Sequence, residues 1–368
     1  MDWLTRDLRM GVRLLARDKA FSLTVALTLA FCIGANTALF SVVRHILLRP
    51  LPVPEPERIL LMSNQYPKAG AGDSSNSGVV DYFDRLRDAT VFDEQALFQP
   101  RSTSIGLEGL PTRIRVLDVT PSYLRVMRLA PTLGRAFTEQ DGEVGNEKKV
   151  LLTEAFWHSH FGGDPGAVGQ DLRLDGQPYT VVGVLPREYQ ALAPGIVLFR
   201  PLAFKPEQKS DDNRHSNSYS NIGRLKPGAT LEQAQAQIDA LNAANMERFP
   251  QYKEILTNAG FHTAVDRYPD HLVRAVRPTL YLLWGGALFV LLIGSVNVAN
   301  LVLVRARVRL KELATRLALG ASPWQVARQL VMENVLLSLT AAAAGLLVGA
   351  ASLRMLGSFD LQDLAYAA

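Results

Sequence analysis

Residues 305–333, RARVRLKELATRLALGASPWQVARQLVME, decide how the rest of this chain is read. They lie between two apolar runs, 280–304 and 331–356. Each run is about 25 residues, long enough to cross a ~30 Å hydrocarbon core as a tilted helix. From Arg305 to Arg328 the stretch carries Arg305, Arg307, Arg309, Lys311, Arg316 and Arg328 against a single acid, Glu312, a net charge of +5. So basic a short loop belongs on the cytoplasmic side. Leu310, Leu313 and Leu317 recur at helical spacing. Glu312 and Arg316 stand at i and i+4 in the favourable order. Gly320 marks a left-handed helix end. Ser322, Pro323 and Gln325 read as the N-cap, first residue and capping-box partner of a new helix. The spacing therefore predicts a short surface helix, a corner, and the next span. A solvated positive-inside connector would show the same pattern.

The wording of the stretch adds to its spacing. KELATRLALGASPWQVARQLVMENVLL, residues 311–337, resembles the cytoplasmic loop of FtsX/MacB-type ABC transporter permeases. The resemblance implies that Glu312, Arg316, Gly320, Ala321 and Ser322, with Ala318 and Leu319, belong to a coupling region. That region faces a cytoplasmic ABC ATPase subunit in a separate chain.

Charge supports the membrane reading. The overall +4 is unevenly spread: residues 1–19 carry +2, residues 44–277 carry −1 and the stretch from 329 carries −2. The basic excess thus sits in the two segments expected in the cytoplasm. The large central region is close to neutral, which excludes a nucleic-acid footprint on it. Cys32 is the lone cysteine, so no intrachain disulfide forms. A domain of about 230 residues buries enough core without one.

Residues 1–19 read as a basic amphipathic helix in the membrane interface, with Trp3, Leu4, Leu8, Val12 and Leu15 opposite Arg6, Arg9, Arg13 and Arg17. Residues 20–43 are the first span, in which Ala30, Gly34 and Ala38 form a small-residue face for close helix packing. A proline-rich exit, LPVPEPER, leads into a domain over 50–277. Within it, 78–86 reads as a helix start with Tyr82, Phe83 and Leu86 on one side, and 112–119 as a strand. Residues 121–127 read as a short helix, 149–153 as a strand and 154–161 as a helix. Residues 171–185 are a hairpin turning at Asp175-Gly176. Residues 220–225 are a strand, and Thr230 caps a helix over 231–248 with Ala234, Ile238, Leu241 and Ala244 or Asn245 on one side. Strands and helices interleave without a steady repeat, which points to an α+β domain in two lobes.

Three phrases of this domain resemble the extracytoplasmic core of MacB-type permeases: LGRAF (133–137), FGGDPGAVGQDLRLDGQPYTVVGVLP (161–186) and GRLKPGATLEQAQAQI (223–238). Their glycines read as turn or bulge positions, not as a phosphate cradle. The second span, 279–304, holds Asn297 and Asn300, which read equally as functional polar groups or as interhelical glue. The third, 331–356, holds Gly345 and Gly349 in a GxxxG contact motif.

The expected fold is therefore a membrane protein of α-helical spans with a large extracytoplasmic α+β two-lobed domain inserted between spans 1 and 2. The coupling loop is placed at 305–328 and a tail at 357–368. The family pattern has four spans, whereas three are read here. The nearest resemblance is to the N-terminal half of a duplicated orphan permease, and the chain is expected to be a fragment or one half of a split pair.

No catalytic or metal site is read. There is no GxxxxGK[ST], HExxH, CxxC or GxSxG, and His158 and His160 are at i and i+2, the wrong spacing for one helical face. No cofactor is expected. The partners implied are membrane lipid, the ATPase, a second permease copy or half, and an extracytoplasmic protein or substrate. The location implied is the bacterial inner membrane, multi-pass, with the core domain periplasmic or extracellular. The rival reading is a non-transporting anchored sensor or structural protein whose outer domain binds a partner.

Overall fold

The computed structural model describes residues 18–48, 51–72, 74, 76–107, 110–189, 193, 195–274, 276–320 and 322–358. The amphipathic segment up to 17, Ala321 and the tail from 359 lie outside these. The chain forms two compact bodies, one from the segments up to 49 and from 275 onward, the other from residues 50–274.

In chain order the elements are α1 (Lys19–Leu48), β1 (Ile59–Gln65), α2 (Val79–Asp88), β2 (Phe92–Leu107), β3 (Leu110–Val119), α3 (Tyr123–Met127), β4 (Leu133–Gly134) and β5 (Lys149–Thr153). Next come α4 (Glu154–Phe161), β6 (Asp171–Leu174), β7 (Gln177–Leu185), β8 (Ile196–Pro201), β9 (Ser220–Leu225), α5 (Leu231–Arg248), α6 (Pro250–Ala259) and β10 (His262–Arg267). The series ends with α7 (Tyr268–Arg274), α8 (Arg277–Val308), α9 (Leu310–Ala318) and α10 (Pro323–Ser358).

The strands of the second body join in the order β10-β1-β9-β2-β3-β8-β5-β7-β4, with β6 bridging β7 and β2. The long strand β2 divides this sheet into lobes. Its first half, Phe92–Phe98, pairs with β9, and its second half, from Phe98 onward, pairs with β3. On the far side of that switch β2, β3, β8, β5, β7 and β6 pair in turn and return to β2, a closed barrel. Ile105, Val116, Leu198, Val150, Leu152, Val181, Leu172 and Leu174 fill its inside, drawn from every strand of the ring. Alternate residues on the outer face, Leu117, Leu151, Val182 and Phe199, pack with α3 and with Ile59, Leu61 and Ile222 of the other lobe. Among the described residues, closure rests on one bridge, Ile105 to Leu174. It is reinforced by Asp175, whose N–H donates to Ser104 O (2.8 Å) and whose carboxylate accepts from the Thr103 hydroxyl and the Ser104 N–H (2.8 Å). Asp175 and Gly176 both have positive φ, 47° and 78°, the geometry of a tight two-residue hairpin turn.

The other lobe departs from the sequence expectation at α2. Leu86 is 48% exposed, while Asp81, Asp84 and Arg85 are buried beside Tyr82. The inward face is polar because Arg85 is fully served there. It donates to Ser77 Oγ (2.8 Å), Asn221 Oδ1 (2.9 Å), Asn64 Oδ1 (2.7 Å) and Thr263 Oγ1 (3.2 Å). A buried guanidinium with four acceptors behaves as a cross-link between strands. On α5, Ala234, Ile238 and Leu241 pack on Leu60, Met62 and Val265. Of the two alternatives at the next turn, Asn245 lies inward and donates to Asp84 Oδ2 (3.1 Å), while Ala244 is exposed.

In the first body α1, α8 and α10 are each long and apolar enough to cross a membrane. They leave many large apolar side chains exposed, among them Phe31, Leu282, Phe289 and Leu347. Hydrocarbon or neighbouring helices satisfy such faces, where water would not.

Candidate functional site

The small residues of the spans bring α1 against its two neighbours. A Cβ on Gly345 would stand 2.9 Å from Ile33 Cβ and 3.0 Å from Ala30 O, and one on Gly349 would stand 3.2 Å from Gly34 O. A Cβ on Gly34 would meet Gly345 O at 3.0 Å. The helix that the GxxxG motif approaches is thus the first span of the same chain. Ala30 is buried in this seam, and Ala38 is half-buried further along α1. On its other side α1 meets α8. Gly294 leaves room for Cys32, whose Sγ would be 2.4 Å from a Cβ there, and Asn36 Nδ2 donates to Ala287 O at 2.9 Å. An interhelical amide tie is the kind of contact that holds spans together where apolar packing alone is unselective. Asn297 and Asn300 both lie exposed on α8.

The basic stretch folds as a corner. α8 ends at Val308, and Arg309 (φ −87°, ψ 1°) turns the chain into α9. α9 has nine residues, fewer than the about 12–15 that an isolated helix needs in water, so its neighbours must hold it. Its end is set by Gly320 at φ +94°, whose N–H donates to Leu317 O at 3.1 Å. A side chain there would be strained, since L-residues rarely adopt that conformation. α10 then opens with a reciprocal cap: Gln325 N–H donates to Ser322 Oγ (3.3 Å), and Ser322 N–H donates to Gln325 Oε1 (3.1 Å).

Five side chains close a hydrogen-bonded ring around this corner. Arg316 donates through Nη2 to Glu312 Oε1 and through Nη1 to Gln329 Oε1 at 3.0 Å. Gln329 Nε2 donates to Glu333 Oε1 at 3.1 Å. Arg309 Nη1 donates to Glu333 Oε2 at 2.7 Å, and its Nε to Glu312 Oε2 at 3.4 Å. Glu333 is 4% exposed, whereas Glu312 keeps 44% of its side chain open. Burial works against the charge on Arg309, but the hydrogen bonds it donates to Glu333 and Glu312 outweigh it and hold the guanidinium above its ordinary value. The sequence pointed to Glu312 and Arg316 and missed Arg309, Gln329 and Glu333 as their partners. A signal was present, because Glu333 is the one acid in the run 331–356, and acids at such positions are expensive unless they are paired.

The leucines that recur at helical spacing on α9 are largely open. Leu313 is half-buried, but Leu310 is 60% exposed and Leu317 43%. Leu319 (83%) and Trp324 (75%), on either side of the corner, are exposed as well.

Comparison with known proteins assigns two parts of the chain, the first taking in most of α1 as well as the second body as far as α5. Residues 22–241 match the model of the MacB-like periplasmic core domain, and residues 284–367 match that of the FtsX-like permease C-terminal region. The chain belongs to the MacB/FtsX-type permease family. Like others of this family, it is a multi-pass protein of the bacterial cell membrane with a periplasmic-type core domain. Among its relatives is the macrolide export ATP-binding/permease protein MacB of Nitrosomonas europaea, 26% identical over 59% of this chain and 31% of that protein. Another is the uncharacterized ABC transporter permease YknZ of Bacillus subtilis, 23% identical over 65% of this chain and 57% of that protein. The chain thus spans less than two thirds of either relative. A domain of a putative permease from Porphyromonas gingivalis superposes with a TM-score of 0.44 at 17% identity, over 58% of this chain and 90% of that one.

Proposed function

We propose that this permease is the membrane subunit of an ABC transporter of its family, with ATP hydrolysis supplied by a cytoplasmic ATPase in a separate chain. α9 and the corner after it are the docking element. The observation that carries this is the exposure of Leu317, Leu319 and Trp324 at the corner of a basic stretch. Exposed leucines and a tryptophan clustered on a capped, ordered corner are what a partner's groove buries. ATP-driven closure of the ATPase would displace α9, and the spans would carry the displacement to the extracytoplasmic domain. A second permease copy or half completes the assembly, and the exposed faces of the spans are available to it. Relatives named for macrolide export make efflux one cargo class for such a machine, beside lipoprotein release and envelope signalling.

Co-expression of the full chain with candidate cytoplasmic ABC ATPases tests the reading. An ATPase should co-purify in detergent with the parent chain and be lost from the Leu319→Ser/Trp324→Ser variant, while membrane insertion stays normal. Equal retention by both chains would remove α9 and its corner from the interface.

A further inference from the structure

The ring around the corner has a geometry that docking alone does not require. It ties three pieces of the chain: the Arg309 joint that ends α8, the helix α9 through Glu312 and Arg316, and the first turns of α10 through Gln329 and Glu333. α9 meets its neighbours at two joints, Arg309 on one side and Leu319–Gly320 on the other, where the backbone departs from regular helix. Nine residues of helix hung between two such joints would tilt when pushed, and the push would be spent in the joints. The ring is anchored at the first joint by Arg309 and spans the second through Arg316 and Gln329. Its deepest member, Glu333, keeps only 5% of its side chain open, and its partner Arg309 only 12%.

We propose that Arg309, Gln329 and Glu333 are positioning residues that clasp α9 to the cytoplasmic ends of α8 and α10, so that the three move as one lever. Glu333 is the keystone, because it takes Arg309 on one oxygen and Gln329 on the other. The ring is charge-balanced, two guanidiniums against two carboxylates with an amide between them. Its own charges therefore cancel without an outside ion. Arg316 and Glu312 reach the clasp from the exposed side, so a partner that contacts Glu312 also pulls on the buried pair. The meaning of the lever for transport rests on the reading of α9 as the docking element, but its rigidity does not.

That difference fixes the experiment. The full chain, with Cys32→Ala, is placed in lipid nanodiscs without any ATPase. Spin labels are attached at Ala314→Cys and Ala327→Cys, both exposed, and the distance distribution is read by double electron–electron resonance. A second pair, Ala35→Cys and Ala350→Cys, also exposed, reports the seam between the first and third spans. The parent chain should give a single narrow peak for each pair. Glu333→Met should lose the narrow peak at 314–327 and keep it at 35–350. The double variant Arg309→Met/Glu333→Met fills the same space without leaving a buried charge alone, which protects the fold, and it should behave in the same way. A narrow, unshifted 314–327 peak in both variants overturns the clasp. Broadening of both label pairs overturns it too, because the ring would then be general support for the fold. Failure of any ATPase to engage the corner would sink the docking reading and leave these distances as they are.

Discussion

At the scale of single residues, the structure changes what Glu312 can mean. With Arg316 as its one partner, an exposed i,i+4 pair contributes only about 0.3–0.5 kcal/mol, so any strong effect of Glu312 would have to come from outside the chain. The second contact, to Arg309, ties Glu312 to a buried pair. Removing one member of a buried pair typically costs about 3–5 kcal/mol, so Glu333 is the more sensitive position of the two. Glycine at 345 is equally constrained. The carbonyl of Ala30 and the side chain of Ile33 occupy the space a Cβ would take. Gly345→Leu should therefore overpack the seam between α1 and α10 by about 1–3 kcal/mol. A lower unfolding midpoint in detergent, with weaker disulfide trapping of cysteine pairs placed across the seam, is the expected result. Unchanged values for both would mean that the seam repacks without loss.

At the scale of elements, legibility followed locality. The Asp175-Gly176 turn, the Thr230 cap, the corner at Gly320 and the capping box at Ser322 are written in a few adjacent residues, and each was readable from them. β1 was not, because ILLMSNQ is buried on both faces and shows no alternation. Nor was the barrel, whose closing contact joins residues 105 and 174. The inward face of α2 was misread because a buried arginine with side-chain acceptors looks polar, and so exposed, in sequence. The ring at the corner was half legible. Glu312 and Arg316 are neighbours on one helix, while Glu333 meets Arg309 only after the chain has turned twice.

The hairpin also carries a pH dependence. The Thr103 hydroxyl, and next the Ser104 N–H, hold the Asp175 carboxyl below its usual value. A carboxyl whose folded pKa is depressed contributes its stability above the unfolded pKa. That contribution is lost as pH falls through the folded one. The barrel seam should thus be firm at neutral pH and weaken only below about pH 4. Asp175→Asn keeps a residue that tolerates positive φ but removes the charge. It should cost about 1 kcal/mol at pH 7 and flatten the acid limb of the thermal-unfolding profile. An unchanged acid limb would show that the seam does not depend on this carboxylate.

At the scale of the whole molecule, the charge pattern fixes orientation. In a Cys32→Ala background, Lys205→Cys should react with a membrane-impermeant maleimide in intact spheroplasts. Lys311→Cys should react only after the membrane is opened; the reverse pattern would invert the topology. Closure of the barrel also shapes how the outer domain comes to be folded. Among the described residues, five of the six barrel seams are multi-residue ladders, and the sixth is a single bridge between segments about seventy residues apart. Long-range closures of this kind come late, because the chain entropy is lost before the contact rewards it. Until β6 arrives, the second half of β2 presents an unpaired edge, a template for the same strand of another molecule. Newly translocated copies of this domain would therefore be most prone to exchange strands at Ser102–Gly106, and the speed of the β6–β7 hairpin sets how long that window stays open.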